Sequence, residues 1–126
     1  MLYKILSALP AEARKDNGIG PKTVLPLVPL DLKDGFIHLS TEDQLTETLN
    51  KFFPSVDQVV ILEIDALDDK DAAIPEGKTG NKYRSQIKWE WVESRQSYFP
   101  HLYGDLINED VIGHKVLKKT GDKWVL

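Results

Sequence analysis

Two histidines and one glutamate are the side chains of this sequence best suited to chemistry. His38 lies in the stretch GFIHLST, Glu90 in KWEWV and His101 in YFPHLYG, and these surroundings favour ordered positions. Two imidazoles and a carboxylate serve either in acid–base catalysis or as a metal site. The spacing matches no short metal-binding motif such as HExxH, and the chain has no Cys to supply thiolates. We therefore expect no metal and predict His38, Glu90 and His101 as catalytic residues.

The residues around His38 predict a strand that is followed at once by a helix. Alternation over residues 36–40 places two aliphatic side chains on one face and His38 on the other. Thr41 can cap the helix, with Gln44 as its capping-box partner. A helix start exposes backbone N–H groups that often hold phosphate, so Ser40 and Thr41 are predicted to bind ligand. An ordinary cap beside a packed histidine fits the same residues, and the stretch alone leaves both interpretations open.

The remaining periodicities predict an α+β fold with one main helix at about residues 41–53. Apolar residues recur there at helical spacing, namely Leu45, Leu49, Phe52 and Phe53. Strands are predicted at residues 2–6, 59–65, 83–92, 111–117 and 123–126, the last two forming a closing hairpin. Within residues 83–92, Trp89 and Trp91 alternate with Glu90. The tryptophans are therefore expected in the core and the glutamate on the opposite face.

Prolines predict irregular structure in two other places. Residues 19–34 contain three prolines, which remove donors from a hydrogen-bonded ladder, so we expect an extended loop or an edge strand. Residues 97–104 contain Pro100 and Gly104 around His101, and this pattern is typical of an ordered loop.

Composition narrows the class of protein. A chain of 126 residues with 41% hydrophobic residues is the size of one globular domain, so we expect residues 1–126 to form a single domain. The net charge of −4 disfavours broad binding to nucleic acid, because such binding needs Lys and Arg to neutralise phosphates. No apolar run is long enough to span a membrane, and the start of the chain does not fit a signal peptide. A soluble cytoplasmic protein is expected, with its oligomeric state open.

Three segments resemble the signature of a small bacterial family known as domain of unknown function 952. They are GFIHLST at residues 35–41 followed by Gln44, KWE at residues 88–90, and FPHLYG at residues 99–104. The segments occur in the order of the family and span most of the chain. The resemblance implies a fold similar to that of the ADP-ribosyltransferases, a curved α+β domain whose enzymes bind NAD in a cleft between two small sheets.

The resemblance also implies roles for individual residues. His38 matches a histidine that holds the ribose on the nicotinamide side of NAD. Tyr83 or Tyr103 would be the tyrosine that stacks on nicotinamide, and Glu90 the acidic residue that acts on the ribose. His101 has no counterpart in those enzymes. A proline-bearing segment, residues 17–30, departs from the family pattern and is placed to cover the cleft.

Two functions from different classes remain open on the sequence. In the first, the protein binds NAD or a related nucleotide and transfers or hydrolyses an ADP-ribosyl or phosphoribosyl group. In the second, it is a non-catalytic module that binds or senses a small nucleotide-like or anionic ligand. A carboxylate that converges with His38 would favour the first, because ribosyl transfer requires stabilisation of positive charge on the sugar.

Overall fold

The computed structural model of the chain describes residues 1–15, 18–66 and 86–125. The strands are Leu2–Leu6 (β1), Ile37–His38 (β2), Gln58–Ile64 (β3), Ile87–Val92 (β4), Ser97–Leu102 (β5) and Val111–Lys118 (β6). The helices are Pro29–Asp34 (α1) and Glu42–Phe52 (α2), and single 3₁₀ turns occupy Ala11–Ala13 and Asn108–Asp110. Neither helix is long and apolar enough to cross a membrane within these ranges.

The first sheet contains three antiparallel strands in the order β1-β3-β6. β3 lies in the middle, as its run of β-branched residues predicts, because both of its faces are covered by other parts of the chain. Val60, Leu62 and Ile64 belong to the larger core cluster, whereas Val59 packs in a second cluster with Leu49 and Trp124. The alternation within β3 therefore distributes its side chains between two cores.

The second sheet contains β2, β5 and β4 in that order, again antiparallel. The prediction of a loop at residues 97–104 is wrong, since most of that segment forms the central strand β5. Pro100 has no N–H to donate, but its carbonyl still accepts a hydrogen bond from the Leu39 N–H at 3.1 Å. A residue in an antiparallel strand directs its N–H and its C=O to the same neighbouring strand. For Pro100 this neighbour is the very short β2, so the missing N–H costs only one hydrogen bond.

The two sheets are joined where the chain leaves β2. Ser40 and Tyr3 exchange two backbone hydrogen bonds, with N···O distances of 2.8 and 2.9 Å. The strand predicted over residues 36–40 is therefore only two residues long, and its continuation pairs with β1 of the other sheet. Ile37, Leu39 and Leu102 pack with side chains of β1 and β3 in the larger core. This junction fixes the position of His38 relative to both sheets.

Helix α1 begins inside the segment that was predicted to be an extended loop or edge strand. Pro29 occupies the first turn, where its lack of an N–H removes no helical hydrogen bond. Gly35 ends the helix with a positive φ of 82°, a conformation that favours glycine. The N-terminal part of the segment is extended, and Val24 bridges to Ile107. The proline pattern predicts the extended part of this segment but gives no indication of helix α1.

Helix α2 confirms the predicted main helix and its capping box. The Thr41 N–H donates to Gln44 Oε1 at 3.1 Å, and the helix ends at Phe52. The prediction of a closing hairpin is wrong in part. Thr120 bridges to Lys123 as a hairpin requires, but the chain then crosses to α2. Trp124 packs under that helix with Leu49 and Val59, because its large ring gains more from burial than from extending the sheet.

Candidate functional site

Strand register brings the two predicted histidines together. His38 of β2 lies opposite His101 of β5, and His101 lies opposite Lys88 of β4. Residues opposite each other in a sheet share a face, so these three side chains project to the same side. The two imidazole rings are 5.4 Å apart between centroids. We call this side of the sheet the histidine face.

Glu90 joins the histidine face because it lies two residues after Lys88 on β4. One carboxylate oxygen, Oε1, is 2.9 Å from His101 Nδ1 and accepts a hydrogen bond from the Tyr103 hydroxyl at 2.5 Å. The Glu90 side chain is 40% exposed, so it is fixed by two partners and still accessible. The structure thus unites four residues predicted from sequence: His38, Glu90, His101 and Tyr103.

Phe36 completes an aromatic surface around the histidines. Its ring stacks on His101 with centroids 4.1 Å apart and an interplanar angle of 21°. It also lies 4.6 Å from the His38 ring and 5.2 Å from the Tyr103 ring. Lys88 places its ammonium 5.0 Å from the centre of the Tyr103 ring. The histidine face therefore combines flat aromatic rings with the charges of Lys88 and Glu90.

Three further polar side chains around His38 were missed in the sequence analysis. Asp31 Oδ1 lies 2.7 Å from His38 Nδ1, and Asp34 Oδ2 lies 3.0 Å from His38 Nε2. The second oxygen of Asp31 forms an ion pair with Lys4 at 2.6 Å. Lys4 also donates to the His38 carbonyl at 3.3 Å. His38 is held through both ring nitrogens and its backbone.

The Lys4–Asp31 pair is buried, with Asp31 2% exposed and Lys4 7% exposed. Burial lowers the pKa of Lys4, and the Asp31 charge opposes this shift. Burial would raise the pKa of Asp31, but hydrogen bonds from His38 and the charge of Lys4 lower it overall. A signal was present in the sequence, because Lys4 interrupts an apolar strand. Its partner, Asp31, could be identified only from the position of α1 in the structure.

The other predicted ligand-binding residues do not join the exposed part of the histidine face. Ser40 is buried and uses its backbone to join the two sheets. Thr41 is the cap of α2. Tyr83 lies outside the described residues. Trp91 was expected in the core, but it is 48% exposed and donates to Glu93 at 2.6 Å, whereas Trp89 packs against the core as predicted.

The electrostatics of the histidine face define what each group can do near neutral pH. Hydrogen bonds from Tyr103 and His101 lower the pKa of Glu90 and keep it ionised. The hydrogen bond between Tyr103 and Glu90 also raises the pKa of Tyr103. Burial lowers the pKa of His101, an effect opposed by its bond to Glu90. A neutral His101 that donates from Nδ1 to Glu90 carries its lone pair on Nε2. The pair is thus equipped to accept a proton.

The lowered pKa of His101 predicts a specific pH dependence of stability. The unfolded chain takes up a proton near the ordinary histidine value of 6.5, before the folded chain does. The free energy of unfolding should therefore fall as pH decreases through 6.5 towards the folded pKa. Glu90 and Asp31 have lowered pKa values, so their stabilisation is lost only below about 4.5. The pH range in which His101 lowers the stability therefore begins well above the range in which Glu90 and Asp31 do so.

Urea unfolding between pH 7.5 and 5, with the variant His101→Gln, measures this dependence. The variant should lose part of the slope, whereas His114→Gln, at an exposed histidine, should keep it. An unchanged slope in His101→Gln, or an NMR titration of His101 above pH 6.5, would contradict the assignment.

Among the described residues, no group of three or more His, Cys, Asp or Glu side chains has an arrangement that could hold a metal ion. The carboxylates beside the histidines are engaged in the contacts given above.

Fold and site together define a small α+β domain with two antiparallel sheets and a cluster of ionisable side chains on one of them. The chain belongs to the family described as "Protein of unknown function (DUF952)", which matches residues 11–114. This confirms the family assignment made from the three sequence segments.

Solved structures of one bacterial protein resemble this chain over almost its full length. The crystal structure of protein CC0527 from Caulobacter crescentus is 29% identical, with a TM-score of 0.67, and the alignment covers 97% of this chain and 90% of that one. The solution NMR structure of CC0527 is 32% identical, with a TM-score of 0.65 and coverage of 97% and 88%. No curated protein matches the sequence.

Proposed function

We propose that the histidine face binds NAD or a related nucleotide and acts on its ADP-ribosyl or phosphoribosyl group. The observation that carries this proposal is the Glu90 carboxylate, which is fixed by His101 and Tyr103, accessible, and on the same face as His38. Ribosyl transfer develops positive charge on the sugar, and a preorganised carboxylate stabilises that charge. The two small antiparallel sheets support the further proposal of an ADP-ribosyltransferase-like fold.

The surroundings of Glu90 suit such a substrate. The partly exposed ring of Tyr103 offers a stacking surface for nicotinamide or another flat base, and Lys88 beside it offers a positive charge for phosphate. Asp34 places a negative charge at the opposite end, beside His38, whereas the charge of the buried Asp31 is balanced by Lys4. A nucleotide would therefore orient its phosphates towards Lys88 and its ribose towards the histidines.

Hydrolysis at this site would use Glu90 and His101 together. His101 Nε2 takes a proton from the attacking water, whose oxygen forms a bond to the anomeric carbon. The bond from that carbon to the nicotinamide nitrogen breaks, and the electron pair leaves on nicotinamide. Positive charge develops on the sugar as the bond to nicotinamide breaks and is lost when the bond to the water oxygen is complete, and Glu90 stabilises that charge.

A second candidate function is ligand binding without turnover. His38 has both ring nitrogens engaged by Asp31 and Asp34, at 2.7 and 3.0 Å. Such a histidine has no ring nitrogen left for proton transfer unless one contact opens. This observation favours a module that senses a nucleotide-like or anionic ligand.

Binding and turnover of NAD by the variant Glu90→Gln test the proposal. If Glu90 stabilises the transition state, the variant should bind NAD or ADP-ribose within a few-fold of the parent while its turnover falls about 100-fold. Ligand-observed NMR measures binding, and release of nicotinamide measures turnover. Glu93→Gln is the matched control, because Glu93 lies beyond the end of β4 and contacts Trp91 and Gln96 instead.

Each result has a defined meaning. Binding without nicotinamide release by the parent protein would establish the second candidate function. Absence of binding at millimolar NAD and ADP-ribose would overturn the first function and would limit the second to anionic ligands other than these nucleotides. Equal loss of turnover in Glu90→Gln and Glu93→Gln would show that Glu90 has no specific role in the reaction.

A further inference from the structure

A cleft of about 450 Å³ lies between the first 3₁₀ turn and the start of β6. Its lining residues are Leu9, Ala13, Arg14, Lys15, Val111, Gly113 and His114. None of them belongs to the histidine face. The volume falls within the range of about 300–1,000 Å³ that is usual for small-molecule sites. The cleft is therefore large enough to be considered a site of its own.

The charge of this cleft differs from that of the whole protein. The chain carries a net charge of −4, yet Arg14, Lys15 and His114 line the cleft, and no carboxylate is among its lining residues in the part of the chain that the structure describes. Leu9 and Val111 contribute apolar side chains to the lining of the same cleft. A lining that combines basic and apolar side chains matches a ligand that has an anionic group on a compact apolar body.

The basic wall of the cleft is held in place by a buried asparagine. Asn108 is 4% exposed, and its amide Nδ2 donates to the carbonyls of Glu12 and Arg14, each at 2.8 Å. The Lys15 ammonium donates to the Asn108 carbonyl and, at 3.1 Å, to Asn108 Oδ1. Both acceptors are neutral, so they orient Lys15 without cancelling its charge. The Arg14 side chain forms no ion pair with the part of the chain that the structure describes.

We infer that this cleft is a binding site for a small organic anion, a phosphate or carboxylate attached to a compact apolar body. Arg14 and Lys15 would bind the anionic group, and Leu9 and Val111 would contact the apolar body. Arginine suits this role because its planar guanidinium can donate two parallel hydrogen bonds to either group. The inference does not depend on the function proposed for the histidine face.

Titration of the full chain with phenyl phosphate, benzoate, inorganic phosphate and benzyl alcohol tests the inference. Saturable shifts in ¹⁵N–¹H spectra are expected at Gly113 and His114 with the two aromatic anions. Whichever aromatic anion binds more tightly identifies the anionic group. Benzyl alcohol lacks the charge and inorganic phosphate lacks the apolar body, so both should bind at least several-fold more weakly.

Two variants and a control locate the contacts. Arg14→Gln and Lys15→Gln should each raise Kd about tenfold, since each removes a charged hydrogen bond. Lys118→Gln, at an exposed lysine on β6 outside the cleft, should leave Kd within twofold. Arg14→Gln keeps the test valid if loss of the Asn108 contact prevents Lys15→Gln from folding. Shifts confined to His101 and Tyr103, equal binding of benzyl alcohol, or equal loss in Lys118→Gln would overturn the inference.

Discussion

The variant Asp31→Ala is expected to lower the free energy of unfolding by about 3–5 kcal/mol, because it leaves the buried ammonium of Lys4 without its counter-ion. Lys4 Nζ lies 2.6 Å from Asp31 Oδ2, and both side chains are excluded from solvent. The variant also removes the acceptor that orients His38 Nδ1 at 2.7 Å. Since small domains have only about 5–15 kcal/mol of stability in total, much of the native margin would be lost.

Urea denaturation at pH 7 measures this effect, and Asp34→Ala is its matched control. Asp34 also contacts His38, but its side chain is 35% exposed, so that variant should cost about 1 kcal/mol or less. The double variant Lys4→Met with Asp31→Leu should recover most of the stability, because an apolar pair needs no counter-ion. Equal small losses in Asp31→Ala and Asp34→Ala would show that burial of the ion pair has no energetic role.

The variant Trp124→Ala should lose about 3–5 kcal/mol of unfolding free energy, the usual cost of removing a buried aromatic side chain. Trp124 is 1% exposed and packs with Leu49 and Val59. Its indole N–H donates to the Phe53 carbonyl at 2.9 Å, and its backbone exchanges two hydrogen bonds with the Asn50 side chain. The substitution would create a cavity beneath α2 and leave the Phe53 carbonyl without this donor.

Thermal or urea unfolding of three tryptophan variants separates these contributions. Trp124→Phe keeps most of the ring and loses the indole donor, so it should cost about 1–3 kcal/mol. Trp91→Ala removes an exposed tryptophan on β4 and should cost about 1 kcal/mol or less. Similar losses for Trp124→Ala and Trp91→Ala would contradict the role of Trp124 as the residue that attaches the C-terminal segment to α2.

Several elements could be predicted from sequence because local physics specifies them. The capping box at Thr41 and the apolar spacing that follows identify α2, and the β-branched run identifies β3 as a central strand. Alternation around His38 and Glu90 assigned both side chains to the polar faces of their strands. These features depend on neighbours within a few residues, which a sequence displays directly.

Other features could not be predicted because they depend on pairing between distant segments. Pro100 indicates a loop in isolation, and it is accepted in β5 only because β2 is too short to require its donor. The helix α1 is six residues long and is stabilised in its first turn by contacts of Asp31 with Lys4 and His38. Short helices have weak local signals, since nucleation is costly and tertiary contacts supply most of their stability.

The sequence by itself determined the α+β class, the main helix and the family, and it pointed to His38, Glu90 and His101 while leaving Tyr103 and Tyr83 as alternatives. Only the tertiary structure decided that His38 and His101 are opposite each other, that Glu90 bonds to His101, and that Asp31 is paired with Lys4. The physical reason is range: periodicity and capping act within one turn or one strand, whereas register and burial are set when segments far apart in the chain pack together.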